Sequence, residues 1–294
     1  MKNLKKTLAL LLALAMALVL AACGTEAPPQ TEAPEATEPA AQTEEPAAEP
    51  VELVVFAAAS MEETLTEIQG MYASVAPNVT LVFNFDSSGT LKTQIQNAAP
   101  CDIFISAGQK QMDQLDIEAD ESVNTEGLDF VLAESRIDLL ENRVTLCVPE
   151  GNPKGIESFD QLAELLEAGD VFMCMGNSDV PVGQYTQKIF AYYGLDETEL
   201  ANAGEITYGS NVKEVATQIK EGSVDCGVIY CTDAYSEGLE IVDYATAEMC
   251  GQVIYPAAVL KTSENQEAAQ AFLDYLTGDE AMAVFESVGF APVA

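Results

Sequence analysis

From residue 51 onward, short apolar runs alternate with stretches of helical periodicity, and this alternation restricts the possible folds more than any other feature of the chain. Residues 53–56, 81–85, 103–105, 144–148, 171–175 and 228–230 read as strands, most of them apolar on both faces. A strand that is apolar on both faces needs cover on both, and the segments between the strands supply it. Met61, Leu65, Ile68 and Tyr72 make one helical stripe, and Leu91, Ile95 and Ala98 a second. Leu162, Leu165 and Leu166 mark another, Val212, Val215, Ala216 and Ile219 another, and two helices around 272–276 and 282–288 finish the chain. Strands alternating with helices predict an α/β protein with mainly parallel sheets flanked by helices. No repeat of fixed period points to a solenoid or propeller.

The first 50 residues are of a different kind. Lys2, Lys5 and Lys6 precede an apolar run over 8–22, too short and too one-sidedly flanked for a spanning helix, which reads as an export signal. The run closes on Leu20-Ala21-Ala22-Cys23-Gly24, which resembles the bacterial lipobox; the resemblance implies that Cys23 is lipidated and becomes the mature N-terminus. Residues 24–50 hold seven Glu, six Pro, seven Ala and four Thr, with no basic, aromatic or branched aliphatic residue. Such a segment cannot bury enough apolar surface to order itself. As a tether it would span about 30 Å as a flexible coil and about 80 Å as extended polyproline. The expected organisation is a lipoprotein signal peptide over 1–22, a lipid-anchored tether over 23–50, and an extracytoplasmic globule held at the cell membrane.

Charge and residue usage exclude several functions. The chain has 12 Lys+Arg against 48 Asp+Glu, a net charge of −36, of which the region from residue 51 carries −32. A surface this acidic repels phosphate backbones, so no nucleic-acid partner is expected. The absence of His removes Ser-His-Asp and Cys-His catalysis and the usual His zinc sites. No GxGxxG, GxxxxGK[ST] or GxSxG occurs, so an enzyme is not expected, nor a cofactor, nor a cation site. The acidic, poorly periodic run over 116–129 reads as a solvated face covering the edge of a lobe. Cys101, Cys147, Cys174, Cys226, Cys231 and Cys250 show no metal-site or CxxC spacing. An exported chain permits disulfides, but Cys147, Cys174 and Cys226 lie in strand-like runs, where free buried thiols are the expectation.

The chemistry gathers at strand-to-helix junctions. Ala57-Ala58-Ala59-Ser60-Met61-Glu62-Glu63 follows the first strand, with Ser60 and Glu63 spaced as a capping box. Asp86-Ser87-Ser88-Gly89-Thr90 follows the second, Gly176 to Gly183 with Pro181 at a first helical turn follows a third, and Gly209-Ser210-Asn211-Val212 opens a later helix. Each helix start carries unpaired amides and roughly half a positive charge, so four converging would offer about +2 to a dianion without Lys or Arg. In parallel α/β sheets these junctions lie at the carboxyl ends of the strands, where ligands bind. Ordinary capping accounts for any one junction taken singly.

Taken together, residues 56–60, Phe85-Asp86-Ser87-Ser88-Gly89-Thr90-Leu91, Ala99-Pro100-Cys101-Asp102-Ile103-Phe104-Ile105-Ser106-Ala107, Val180-Pro181-Val182-Gly183 and Gly227-Val228-Ile229-Tyr230 resemble the molybdate-binding proteins of ABC importers, in order and spacing from about residue 51 to 294. The resemblance implies a two-lobed type II periplasmic-binding-protein fold with the oxyanion between the lobes. Lobe 1 is expected over 51–142 and 252–294, lobe 2 over 143–251. It also implies site residues: Ser60 and Ser88 through hydroxyl and amide, Val182 and Val212 through backbone amides, and Tyr230 through its hydroxyl. Asp86, a departure from the family pattern, is expected to face solvent or cap its turn, because a carboxylate in the site would oppose a dianion. The implied ligand is molybdate, with tungstate alongside, and the implied partner is a membrane permease that receives the closed monomer. A sulfate-binding protein, an exported hydrolase using Ser60 or Ser88, and an adhesin are the alternatives.

Overall fold

The computed structural model describes residues 49–293, so the signal peptide, Cys23 and nearly all of the tether lie outside the described residues. The strands, in chain order, are β1 (Val51–Ala58), β2 (Val79–Asp86), β3 (Ile103–Ile105), β4 (Ile137–Asn142), β5 (Val144–Val148), β6 (Met173–Gly176), β7 (Ile206–Gly209), β8 (Cys226–Tyr230), β9 (Glu240–Tyr244), β10 (Val253–Val259) and β11 (Ala291–Pro292). They form two sheets, ordered β11-β4-β10-β3-β1-β2 and β7-β6-β8-β5-β9. The helices that matter for the site are α1 (Glu62–Val75), α2 (Ser88–Gln96), α3 (Gln109–Asp113), α4 (Phe159–Ala168), α5 (Pro181–Tyr193), α6 (Glu197–Ala203), α7 (Val212–Lys220) and α8 (Cys231–Glu237). A short α9 (Ala247–Cys250) precedes β10, and α10 (Gln266–Leu276) and α11 (Asp279–Ser287) follow it.

Alternate residues of β1 serve opposite faces, which is why its sequence is apolar throughout. Leu53, Val55 and Ala57 join the main core with Leu65, Ile68 and Tyr72 of α1, while Phe56 packs with Leu91 and Ile95 of α2 and Phe104 of β3. The chain passes from the first sheet to the second between Asn142 and Val144 and returns between β9 and β10. α10 then covers the first lobe, where Phe272 meets Tyr72 edge-on at 4.9 Å.

The two-lobed α/β architecture is the expected one, but the sheets are mixed rather than mainly parallel. β1 pairs in parallel with β2 and β3, and β6 with β7 and β8. The strands at the crossovers run the other way: β10 is antiparallel to β3 and β4, and β5 to β8 and β9. A strand that enters a sheet directly from the other lobe, without a covering helix, is free to enter antiparallel. Cys101, Cys147, Cys174, Cys226, Cys231 and Cys250 are all free and buried. Burial pushes their thiols up from the ordinary range, so they stay protonated. The acidic run lies against the first lobe, where Val131 bridges Leu260 and Arg136 holds Asp116 at 2.8 Å and Asp113 at 2.6 Å.

Candidate functional site

Sheet register aligns the helix starts. β1 and β2 lie in parallel with Ala58 opposite Asp86, so the turns entering α1 and α2 emerge side by side. β6 and β7 do the same in the second sheet, with Gly176 opposite Gly209, and α5 and α7 begin a few residues later. At α2, Ser87 is the cap: its Oγ accepts from the Thr90 amide at 3.2 Å and its carbonyl from the Leu91 amide at 3.0 Å. The Ser88 and Gly89 amides are left beyond the cap's reach. Asp86 Oδ1 accepts from the Ser87 amide at 2.7 Å, so this carboxylate caps its turn as expected.

In the second lobe Pro181 opens α5 with no N–H to satisfy, and no side chain caps that helix, which leaves the Val182 amide at its first turn. At α7 the Asn211 side chain takes the Glu214 amide at 3.0 Å, while Glu214 Oε2 takes the Ser210 amide at 2.7 Å. The Val212 amide lies between these two. Val182 and Val212 are themselves buried, and their side chains only pack.

Ser60 departs from expectation. The spacing to Glu63 predicts a capping box, but the chain inserts a 3-10 turn over Ala59–Met61, and Ser60 sits inside that turn with no side-chain cap at either helix start. Its Oγ instead shares a hydrogen bond with Tyr255 Oη at 2.9 Å. The extra turn carries Ser60 away from the first α-helical amides, which leaves its hydroxyl to Tyr255.

Ser60, Ser88 and Tyr230 are drawn together through common neighbours. Ser88 Oγ accepts from the Ala107 amide at 2.9 Å, and Tyr230 Oη donates to the Ala107 carbonyl at 3.3 Å across the cleft. Tyr230 and Tyr255 meet edge-on with centroids 5.7 Å apart. Tyr255 Oη also accepts from Asn142 Nδ2 at 3.1 Å, and Asn142 reaches Thr232 Oγ1 at 3.0 Å. α7, which begins at Val212, packs on the 3-10 turn of Ser60. The turn before α5 presses so closely on α2 that a Cβ on Gly89 would lie 2.2 Å from the Asp179 carbonyl oxygen.

Tyr255 and Asn142 are not among the residues the sequence points to. Both are buried, and they join the two lobes' polar groups at the first crossover. Only a lone Tyr before Pro256 in an apolar run could have marked the first.

The donors are neutral. Burial raises the Tyr230 and Tyr255 phenols well above their ordinary range, with Tyr255 adding to the effect on Tyr230 and Asp233 to that on Tyr255. Both remain O–H donors at any physiological pH. Asp233, in the first turn of α8, is fully buried with neither oxygen hydrogen-bonded, and burial lifts its carboxyl to about 7 against the pull of Lys213. Asp86 and Glu214 each take the amide of a residue at a helix start, Ser87 and Ser210; hydroxyls beside first-turn amides are donors of the kind that suit a small anion.

The chain is similar to known bacterial solute-binding proteins. A model of the bacterial extracellular solute-binding protein family matches residues 53–291. A Bacillus subtilis (strain 168) protein provisionally named an ABC transporter substrate-binding lipoprotein, YvgL, is 32% identical over 243 residues, covering 82% of this chain and 86% of its own. The molybdate-binding protein ModA of Haemophilus influenzae is 29% identical over 83% of this chain and 91% of its own. The solved substrate-binding domain of a provisionally assigned molybdenum ABC transporter from Clostridium difficile is 29% identical, with a TM-score of 0.59 over 83% of this chain and 100% of that one.

Proposed function

We propose that this chain, which belongs to the bacterial extracellular solute-binding protein family, captures molybdate, and tungstate with it, outside the cytoplasm and delivers the oxyanion to an ABC importer in the membrane. The observation that carries the reading is the donor set. The Ser60, Ser88 and Tyr230 hydroxyls gather where two lobes meet. The turn before α5 packs on α2 and α7 on the 3-10 turn of Ser60, which supports the amides of Ser88, Val182 and Val212 as further donors, and Asp86 is turned into its own cap. Molybdate and tungstate are proton-free tetrahedral dianions at neutral pH, so a site of donors alone suits them. Phosphate keeps a proton near neutrality and calls for an acceptor. Sulfate is proton-free but smaller, so its rejection rests on cavity size.

The same donors argue against an exported hydrolase. Ser60 is bonded to a phenol and Ser88 accepts from an amide, so neither hydroxyl has a base to activate it. The protein in this reading is a binding protein and not an enzyme, acting as a monomer anchored through lipid on Cys23. Contacts made from both lobes at once favour the closed state, which the permease would receive.

Thermal unfolding of the full chain tests the ligand. Molybdate or tungstate at 100 times its dissociation constant should stabilise by about 2.7 kcal/mol, or about 5–10 °C for a domain of this size. A shift with sulfate or phosphate and none with molybdate or tungstate would refute the assignment.

A further inference from the structure

We propose that Lys213 and Glu63 form a latch that holds the lobes closed over the bound anion, with Asp233 as the seat that keeps Lys213 in place. The inference rests on the oxyanion reading only for the ligand used to time the latch.

Position carries the first part of the argument. Lys213 follows Val212 in the first turn of α7, in the second lobe, and Glu63 stands three residues after Ser60 in the first turn of α1, in the first lobe. Lys213 Nζ is bonded to Glu63 Oε1 across the cleft. Among the described residues this is the one salt bridge that joins the two lobes; the others each stay within a lobe. Both partners lie within one helical turn of a proposed anion donor. The pair therefore closes when the donor-bearing helix starts meet, and parts when they part.

Asp233 carries the second part. It is fully buried, neither of its oxygens has a hydrogen bond, and Oδ1 lies 3.9 Å from Lys213 Nζ within the same lobe. Once ionised, a carboxylate in that position needs a countercharge, and Lys213 is the cation beside it. The ammonium therefore stays on its own lobe when the cleft opens, instead of sweeping through solvent. Closure then adds Glu63 to a cation whose side chain is only 19% exposed, where attraction is less screened than at an open surface.

Two roles for Lys213 can be told apart by sign. As a latch it needs Glu63, so losing either partner shortens the closed state. As a simple attractor of the dianion it is opposed by Glu63, so losing Glu63 would tighten binding. Stopped-flow release of molybdate from the full chain, as wild type, Lys213→Gln, Glu63→Gln and the double variant, makes the distinction.

The latch predicts that each single variant speeds release by about three- to tenfold with association nearly unchanged, and that the double variant is no faster than the singles. Tighter binding in Glu63→Gln, or additive effects, overturns it. Glu63 is 45% exposed on its side chain, so its replacement leaves the fold intact and keeps the test decisive should Lys213→Gln fail to fold.

Hydrogen exchange on the ligand-free chain gives an independent reading. Amides over 59–63 and 212–215 should exchange faster in both single variants, and unchanged exchange in both refutes the latch. If wild type does not bind molybdate, the ligand assignment fails and the exchange data alone decide.

Discussion

Asp233 is buried beyond what a carboxylate usually tolerates, and that has a measurable cost. Burial raises its carboxyl from 3.8 to about 7, with Lys213 lowering it and Glu63 raising it further. The folded chain therefore keeps a proton between about pH 4 and 7 that the unfolded chain has lost. The stability tied to this group is fully present below the unfolded value and drains away as pH rises through 7. Asp233→Asn removes the titration. Its melting temperature relative to wild type should be lowest near pH 4, rise across the window and level off above it. The whole change should amount to a few kcal/mol, because each tenfold gain in proton affinity is worth about 1.4 kcal/mol. A difference that ignores pH would mean the carboxyl is solvated after all. The sequence shows Asp233 only as an acid after Cys231 and Thr232, because burial is a property of packing. Tyr255 escapes for the same reason: in the run Val253-Ile254-Tyr255-Pro256 it reads as core, and its hydroxyl's bonds to Ser60 and Asn142 span 195 and 113 residues.

Two glycines of the helix starts look alike in sequence and differ in what they are up against. A Cβ on Gly183 would lie 2.2 Å from the Gly176 carbonyl oxygen and 2.4 Å from that of Asn177, both in its own lobe. A Cβ on Gly89 would lie 2.2 Å from the Asp179 carbonyl oxygen, which belongs to the other lobe. Gly183→Ala should therefore destabilise the ligand-free protein by about 1–3 kcal/mol. Gly89→Ala should leave ligand-free melting within a few degrees of wild type, since Ala suits a helix better by about 1 kcal/mol, while weakening molybdate binding more than tenfold by obstructing closure. Equal loss of ligand-free stability in the two variants would show that Gly89 serves the fold and not the closure. This contrast also marks how far the elements were legible. Apolar runs announced β1, β2, β3, β5, β6 and β8, and for all but the edge strand β2, which is partly exposed, burial on two sides leaves that pattern. β4, β7, β9, β10 and β11 are not among the expected strands: Ile137–Asn142 and Glu240–Tyr244 mix acids with apolar residues, Ile206–Gly209 and Ala291–Pro292 are short, and the antiparallel entry of a crossover strand such as β10 has no local signal. The junctions proposed to hold the anion are visible as composition, but the 3-10 turn that unseats the Ser60 cap is not, because Ser60 bonds a partner nearly two hundred residues away.

For the whole molecule the governing quantity is the charge of −32 on the region from residue 51. Its field opposes an approaching dianion, and the charged groups beside the proposed donors, Lys213 with Glu63, Asp86 and Asp233, include more acid than base. Attraction is confined to hydroxyls and amides that act within a hydrogen-bond length, whereas the repulsion reaches over about 8 Å at physiological salt and about 30 Å at 0.01 M. Salt therefore shortens the opposing interaction and leaves the binding one nearly untouched. Association of molybdate, followed by stopped-flow tyrosine fluorescence in a chain that has ten Tyr and no Trp, should speed up as NaCl rises from 10 to 300 mM, by a few-fold. That is the reverse of an electrostatically steered site, whose on-rate falls with salt. Release should respond separately, because the Lys213–Glu63 pair is itself weakened by screening, and the Glu63→Gln variant should lose that part of the salt dependence. An association rate that falls with salt would mean that a local positive field, stronger than the helix starts alone provide, outweighs the acidity of the surface.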